Sequence, residues 1–334
     1  MKFICLGLAV LILVSCQKSG IEPPADNIVN LSFDSLQVIQ ANIPDDDYRD
    51  LFFINENTGL AVSNFGKIIK TTDGGFNWKN VNVPVIPGLY LENIQFTDNL
   101  TGYVLGWHNV YYSSNSWYQQ SILLKTTDAG NNWTSVNVPD GKIYGMYFFD
   151  NQNGVLSGNG LLKTTNGGQT WTTVISKHFI GINFKNHNEG IITDNKGVYY
   201  ETKNGGANWD SLKSTYDYSL YDIYFSASRT FALCKGAPSL IELGSNPKPL
   251  NTSCNAEMYE FLDDNKCIGI GRVYSPFGGS TVGNVLLTNN CWNTSEQKIF
   301  GESEKFAAIG KINAKKIMIL GNRGPKAIVM IYKL

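Results

Sequence analysis

The sequence is poor in the residues from which metal and nucleic-acid sites are usually built. Its 334 residues include three histidines and six cysteines, and they contain no CxxC pair and no HExxH motif. The 27 lysines and arginines nearly balance the 28 aspartates and glutamates, and only four of the basic residues are arginines. A metal site needs clustered ligands, and nucleic-acid binding needs a basic face. The composition therefore predicts no metal, no cofactor and no nucleic-acid partner.

Long apolar runs are also missing, except at the start of the chain. Residues 3–14 form an uncharged apolar stretch after Lys2, shorter than the roughly 20 residues of a membrane-spanning helix. This pattern is typical of a signal peptide. The sequence Leu-Val-Ser-Cys that ends at Cys16 resembles the lipobox of bacterial lipoproteins, which implies cleavage before Cys16 and a lipid on its sulfur. We expect a signal peptide (1–15), lipidated Cys16 with a tether (16–33) and a folded domain (34–334), held by its lipid in the Gram-negative envelope at the outer membrane.

Four cysteines remain if Cys5 leaves with the signal peptide and Cys16 carries the lipid. They are Cys234, Cys254, Cys267 and Cys291. Four cysteines allow three pairings, and an extracytoplasmic compartment permits disulfides. Nothing in the sequence selects one pairing, so the disulfide state is left open.

The chain contains a repeated turn motif, here called the box. TTDGGFNW, TTDAGNNW, TTNGGQTW and TKNGGANW are followed by a shortened TNNCW that ends at Trp292. Successive boxes are 55, 38, 38 and 86 residues apart, and the last interval leaves room for one unit without a box. A period near 40 residues indicates a repeat architecture. The acid or amide, glycine and tryptophan positions are Asp73, Gly75 and Trp78; Asp128, Gly130 and Trp133; Asn166, Gly168 and Trp171; and Asn204, Gly206 and Trp209.

Each unit also carries the same pattern before its box. An apolar strand ends in an aromatic residue such as Phe53, and a glycine such as Gly59 begins a second strand six residues later. Four short strands in about 40 residues are typical of one blade of a β-propeller. We therefore predict an all-β fold, a seven-bladed β-propeller of four-stranded antiparallel blades. First strands are expected near Tyr48, Leu91, Ile143, Phe179, Leu220, Met258 and Phe306. The last blade is expected to be closed by the N-terminal strand 35–40.

The boxes resemble the Asp-box, or BNR, repeat of sialidases, xyloglucanases, sortilin-type receptors and the photosystem II stability/assembly factor family. The longer pattern GLAVSNFGKIIKTTDGGFNW is most similar to that last family, and the resemblance implies the fold rather than one function. An Asp or Asn side chain can accept backbone hydrogen bonds in an Asx-turn, and glycine can supply a positive φ. Because two of the four full boxes have Asn in place of Asp, we interpret the box as a structural tie and not as a catalytic or metal site.

The longest interval between boxes comes from an insertion in the second blade, Gly106–Ser121. Five of the seven tryptophans are in boxes, and the other two are in this insertion. Aromatic, Ser and Asn residues together are typical of binding loops. We predict a loop that binds a protein or glycan through Trp107, Tyr111, Tyr112, Trp117 and Tyr118. The alternative is that these aromatics pack on the propeller itself.

A second candidate site consists of basic residues from neighbouring blades. Arg49 begins the first blade, and Arg272 and Arg323 are expected in loops of the sixth and seventh blades, with Tyr274 nearby. Arginine pairs well with carboxylates, so these residues could hold an acidic ligand. Asp45, Asp46 and Asp47 border the same sector and could pair with the arginines instead.

The sequence favours a non-catalytic, monomeric binding or assembly module whose partner is an envelope protein or a glycan. A sialidase-like or other glycoside hydrolase is the alternative, because Asp50 and Asp222 occupy equivalent positions in two blades and glycoside hydrolysis needs two carboxyl groups. A purely structural accessory subunit is the third possibility. The family that the boxes resemble implies that other proteins are held in place, and nothing in the sequence indicates photosynthesis.

Overall fold

The computed structural model describes most of Leu31–Leu334 as one compact unit. The described residues are 31–39, 41–113, 116–213, 219–234, 240–250, 256–274, 281–289, 295–299, 304–313, 316–323 and 326–333. The expected signal peptide, Cys16 and tether up to residue 30 lie outside them, as do Cys254, Cys291 and the last three residues of the shortened box, 290–292. The described part of the chain contains no helix with the length and hydropathy of a membrane span.

The described strands form seven four-stranded antiparallel sheets. Six are blades of four consecutive strands, and the seventh is a composite of the last three strands and the first. A short 3₁₀ turn, Phe33–Ser35, leads into the first strand. The strands are β1 (Leu36–Ile39); β2–β5 (Tyr48–Phe53, Gly59–Ser63, Ile68–Thr71, Trp78–Asn80); β6–β9 (Leu89–Phe96, Gly102–Ser113, Ser116–Thr126, Thr134–Val136); β10–β13 (Ile143–Phe148, Gly154–Gly158, Leu161–Thr164, Thr172–Ile175); β14–β17 (Gly181–Phe184, Gly190–Thr193, Val198–Thr202, Asp210–Lys213); β18–β21 (Leu220–Phe225, Thr230–Cys234, Leu240–Leu243, Lys248–Pro249); β22–β25 (Ala256–Phe261, Cys267–Tyr274, Thr281–Thr288, Ser295–Ile299); and β26–β28 (Glu304–Asn313, Lys316–Arg323, Lys326–Lys333).

The first strands of the sheets make the inner wall of a closed ring. Strands β2, β6, β10, β14, β18, β22 and β26 each contact the next, and β26 contacts β2. Strand β1 pairs with β28 on the outer side of the composite sheet, with Leu36 opposite Tyr332 and Ile39 opposite Val329. The N-terminal strand therefore covers an edge that would otherwise carry unpaired backbone groups.

The core lies between neighbouring sheets. Tyr48, Leu51 and Ile69 of the first blade, for example, pack against Met318 and Leu320 of the composite sheet. Each sheet therefore buries apolar side chains on both faces, as the fully buried strand β3 shows, and continuous apolar strands are the pattern expected from such burial.

The boxes lie in the turns between third and fourth strands, and their polar groups bond to one another. In the first box, Asp73 Oδ1 accepts hydrogen bonds from the backbone N–H groups of Phe76 and Asn77 at 3.1 and 2.9 Å and from Thr71 Oγ1 at 2.8 Å. In the third box, Asn166 Oδ1 accepts from the Thr170 N–H at 2.9 Å. Asn166 Nδ2 donates a hydrogen bond to Thr170 Oγ1, four residues later, at 2.8 Å. At the corresponding positions of the first box, Asp73 Oδ2 accepts a hydrogen bond from Asn77 Nδ2 at 2.7 Å. Aspartate and asparagine thus form the same turn, because the side chain four residues later donates to the carboxylate in one box and accepts from the amide in the other.

The fifth and sixth blades are linked by a different polar cluster, which contains the fourth arginine. Arg229 makes two hydrogen bonds of 2.9 and 2.8 Å to the carboxylate of Glu242 and a third of 2.8 Å to the backbone oxygen of Asp264. The carboxylate of Asp264 accepts from Ser226 Oγ and from the N–H and Oγ of Ser228. This cluster joins two blades at a place where the chain has no full box.

Candidate binding face

A central channel runs inside the ring of first strands. Its cavity has a volume of ≈ 540 Å³ and is lined by residues from all seven of these strands. Its polar lining groups include Asp50, Asn93, Tyr144, Asn183, Tyr221, Asp222, Glu260 and Lys311.

Backbone irregularities recur near the beginning of the first strands. The pairing of the first and second strands shifts register at Arg49, Glu92, Tyr144, Tyr221 and Glu257, and between Phe306 and Ala308. A β-bulge re-aims the side chain of the extra residue. The bulged positions form one level of the ring, directly before the channel-lining positions of Asp50, Asn93 and Asp222. We call this level the mouth of the channel.

The two carboxyl groups singled out in the sequence both line the channel. Asp50 Oδ2 accepts a hydrogen bond from the Ile94 N–H at 2.9 Å. Asp50 Oδ1 accepts one from the N–H of the next residue, Leu51, at 2.8 Å. Burial raises the pKa of Asp50 to about 7 in spite of these two bonds, and the charge of Asp222 adds to the rise. Burial, and then the charge of Glu92, raise the pKa of Asp222 to about 6. Because it accepts the hydrogen bond from Ile94, Asp50 also ties the first blade to the second.

A third carboxyl group of the channel has a basic neighbour. Glu260 Oε1 lies 3.8 Å from Lys311 Nζ. Burial raises the pKa of Glu260, and the ammonium group of Lys311 opposes that rise. In the described parts of the chain, no three His, Cys, Asp or Glu side chains come together as a metal site.

The insertion in the second blade is a β-hairpin, so the expectation of a loop was wrong. Strands β7 and β8 stay paired from Gly102↔Thr126 out to Tyr111↔Trp117. The neighbours β6 and β9 pair with the hairpin only as far as His108 and Leu123. The alternation of aromatic, β-branched and polar residues from Trp107 onwards supports this extended ladder. We call residues 109–119 the hairpin extension.

One side of the hairpin faces the third blade. Leu105 and Leu123 pack with Ile143 and Phe148 of that blade. Side chains alternate between the faces of a strand, so odd-numbered residues of both hairpin strands share this side. They include Trp107, Asn109, Tyr111, Trp117 and Gln119. The cross-strand pairs Asn109↔Gln119 and Tyr111↔Trp117 follow one another outward along it.

The structure divides the predicted aromatic residues into two groups. Trp107 packs at the base of the hairpin: its ring stacks on Tyr90 with centroids 4.0 Å apart, and its Nε1 donates to Glu92 Oε1 at 2.9 Å. Tyr111 and Trp117 remain 65% and 55% exposed. Tyr118 is exposed on the opposite side, where its Oη bonds to Gln120. The side chain of Tyr112 lies outside the described residues.

The structure gives a different setting for the predicted arginine sector. Arg49 Nη2 lies 3.1 Å from Asp47 Oδ2, so this arginine has an acidic partner within the chain. Arg272 and Tyr274 belong to β23 and Arg323 ends β27, so their backbones are in paired strands and not in loops. The side chains of these three residues lie outside the described part. The acidic residue Asp46 is buried and pairs with Lys67 at 2.8 Å.

The ring of four-stranded sheets and the boxes define a BNR-type β-propeller. Residues 30–179 match the family model described as photosynthesis system II assembly factor YCF48, and the chain resembles that family. No curated protein sequence matches the chain.

Solved structures share the fold at low sequence identity. "YCF48 bound to D1 peptide" is 17% identical, with 91% of this chain and 99% of that chain covered and a TM-score of 0.67. YCF48 from Cyanidioschyzon merolae is 14% identical, with 89% and 98% covered and a TM-score of 0.64. A GH74 enzyme of Niastella koreensis is 15% identical, with 87% of this chain and 53% of that chain covered and a TM-score of 0.60. These likenesses establish the fold.

Proposed function

We propose that this protein is a non-catalytic assembly module that binds a segment of another protein on the face carrying the hairpin extension. The observation that carries the proposal is the exposed pair Tyr111 and Trp117, on an extension that has no counterpart in the short turns of the first, third and fourth blades. Large exposed aromatics mark protein contacts more often than chance. The structural neighbour described as bound to a D1 peptide shows that this fold can hold a peptide.

Quantitative co-purification from the native host tests the proposal. Tyr111→Ala with Trp117→Ala should lower recovery of the partner at least tenfold, since hot-spot aromatics contribute about 2 kcal/mol or more each. The matched control is Phe76→Ala, because Phe76 is also exposed (51%) but lies in a box. Equal recovery with all three proteins would contradict the proposal. A large fall in melting temperature in the double variant would favour the packing alternative.

We further propose that the module is held in the Gram-negative envelope, at the outer membrane, by a lipid on Cys16. The support is the short apolar run and the Cys16 sequence context. Several acyl chains give stable anchoring, whereas one does not. Cys16→Ser should move the protein from the membrane to the soluble envelope fraction and abolish labelling with a clickable palmitate. Continued membrane recovery and labelling of the variant would refute the anchor.

Glycoside hydrolysis is the second candidate function. The raised pKa values of Asp50 and Asp222, which line the same channel, favour it, because such enzymes need a carboxylic acid that is still protonated near neutral pH. The backbone bonds to both oxygens of Asp50 speak for a structural role. A screen for hydrolysis of aryl glycosides and xyloglucan decides between a catalytic and a structural role for these carboxyl groups. Turnover that disappears with Asp222→Asn would establish hydrolysis, and no turnover by the purified protein would exclude these substrates.

A further inference from the structure

The hairpin extension has an open backbone edge on the outer side of β8. Strand β9 pairs with β8 no further toward the tip than Leu123, so residues 116–120 of β8 have no strand beside them on that side in the described structure. Outside the strand ladders, no backbone–backbone hydrogen bond between described residues involves this segment. Ser116 and Trp117 are exposed. The extension thus continues the blade outward with two strands, where the blade itself has four.

The first blade shows in which direction the backbone groups of β8 point. Its third strand contains Ile68, whose C=O accepts a hydrogen bond from the N–H of Val81, directly after the outer strand β5, at 2.9 Å. Ile68 lies three residues before Thr71, the first residue of its box, and Leu123 lies three before Thr126 in the second blade. The backbone groups of Leu123 therefore also face the outer side of the sheet.

The same orientation recurs at every second residue toward the tip. Successive residues of a strand direct their N–H and C=O groups to opposite edges, and the pairing of β8 with β7 is regular from Leu123 out to Trp117. Gln119 and Trp117 therefore direct their backbone groups outward, as Leu123 does. They present two donors and two acceptors in the line that β9 occupies lower in the sheet.

This edge lacks the features that usually keep strands from pairing with other chains. Exposed edge strands are commonly protected by charged side chains, especially lysine, or by proline. Residues 99–124 contain no Asp, Glu, Lys, Arg or Pro. The outer strand β5 of the first blade, in contrast, contains the exposed Lys79. The edge of the hairpin extension is therefore open to pairing with another strand.

We propose that the partner's segment joins the hairpin extension as an added β-strand along the outer edge of β8. Its backbone bonds to Trp117 and Gln119, and an apolar side chain of the segment lies beside the Trp117 ring, as in a cross-strand pair. Because β9 ends in the same line, the added strand is a short flexible segment and not the long edge of a folded domain. In such strand addition the main chain supplies affinity and alternate side chains supply specificity. This inference rests on the proposed protein-binding function and defines how the partner is held.

Binding of synthetic peptides to the full-length protein tests the inference. The probe is a fluorescein-labelled octapeptide of alternating Val and Thr. The same peptide with N-methyl groups on its two central residues loses one donor on each edge, because adjacent N–H groups point to opposite sides. It should bind at least tenfold more weakly. An octapeptide of alternating Ser and Thr keeps the backbone but lacks the apolar side, and it should also lose affinity.

A proline in the edge tests the same bonds from the side of the protein. Gln119→Pro removes an outward N–H, and an edge strand tolerates proline where the N–H would face solvent. It should lower the affinity for the Val/Thr octapeptide at least tenfold. Gln119→Ala is the matched control, because it removes the same side chain and keeps the N–H. It should bind like the original protein, and both variants should melt within about 3 °C of it.

The outcomes separate this inference from the proposed function. Equal affinity for the methylated and unmethylated peptides, or no binding of either, overturns strand addition, whatever the stability of Gln119→Pro. Equal binding of the octapeptide by the two Gln119 variants overturns it as well. The proposed function still stands if recovery of the co-purified partner depends on Tyr111 and Trp117. Dimerisation of the protein alone that Gln119→Pro abolishes in sedimentation would assign the edge to a second copy and overturn the inference.

Discussion

Single residues in the boxes show how one backbone shape tolerates several side chains. The residue before the box glycine has a positive φ in every full box, and in the second box it is Ala129, with φ 60°. The other three boxes have glycine there, such as Gly74 with φ 74°. A left-handed conformation costs a residue with a Cβ roughly 1–2 kcal/mol. The second box therefore contains local strain that the others lack.

Exchanging these residues should change stability in opposite directions. Ala129→Gly should raise the free energy of unfolding by about 0.5 kcal/mol, since relief of strain exceeds the extra freedom of an unfolded glycine. Gly74→Ala should lower it by about 1 kcal/mol, because its new Cβ would also lie 3.3 Å from the Glu56 oxygen. Urea unfolding of both variants measures the two changes. Changes of the same sign would show that φ is not the cause.

Asp222 should make stability depend on pH. Its pKa is raised from 3.8 to about 6, so between these values the folded protein holds a proton that the unfolded chain has released. Stability must then fall as pH rises through this window. Asp222→Asn removes the titration and should be more stable than the original protein by about 1–2 kcal/mol at pH 7, with little difference at pH 4.

Urea unfolding at pH 4 and pH 7 checks this expectation. Asp210→Asn is the control, because Asp210 is exposed in β17, the fourth strand of its blade, and does not line the channel. A gain of the same size at both pH values would mean that the substitution acts through packing and not through ionisation.

At the scale of strands, the aromatic and glycine positions in the sequence have a direct physical basis. A Cβ on Gly59 would lie 2.7 Å from the ring of Phe53, and one on Gly154 would lie 2.5 Å from the ring of Phe148. The ring that ends the first strand thus covers the glycine that begins the second. Because this contact is local, strand positions around the four full boxes could be predicted from the sequence.

Other elements could not be predicted because their causes are not local. The insertion was expected to be a loop, since its aromatic, Ser and Asn residues are typical of binding loops, but cross-strand pairing out to Tyr111↔Trp117 makes it a hairpin. The bulges at the channel mouth were missed because a bulge at Glu92 or Glu257 has no signature in a single sequence. The only indication of these bulges in the sequence is a charged or aromatic residue four positions before the phenylalanine that ends each first strand.

Shortening the hairpin should separate binding from folding. The described residues 109–113 form their strand pairs with 116–119, so replacing the hairpin extension with Gly-Asn-Gly, the turn Gly158–Gly160 of the third blade, should leave the melting temperature within about 3 °C. The same change should abolish recovery of the partner. A fall of 10 °C or more in differential scanning calorimetry would show that the extension packs on the propeller.

At the scale of the whole molecule, stability depends on β1. It supplies the outer strand of the composite sheet, and without it β28 would present a bare edge to solvent. A chain that begins at Ala41 should melt at least 5 °C lower and associate at high concentration, because open edges pair with other chains.

The matched control is a chain that begins at Leu31. It keeps β1, the buried Leu31 side chain and the hydrogen bonds between the Leu31 backbone and the Asn289 side chain. It should melt like the full protein. Equal melting temperatures and monomeric sedimentation of both truncated chains would show that the outer strand is dispensable.

The pairing of β1 with β28 also sets the order of events during biogenesis. Strand β1 cannot complete its sheet until β28 is available, because Leu36 pairs with Tyr332. Contacts between distant parts of a chain form slowly, and incomplete forms with open edges are prone to misassembly. The six sheets built from consecutive strands can therefore form first, while the composite sheet stays open until strands from both ends of the folded domain have met.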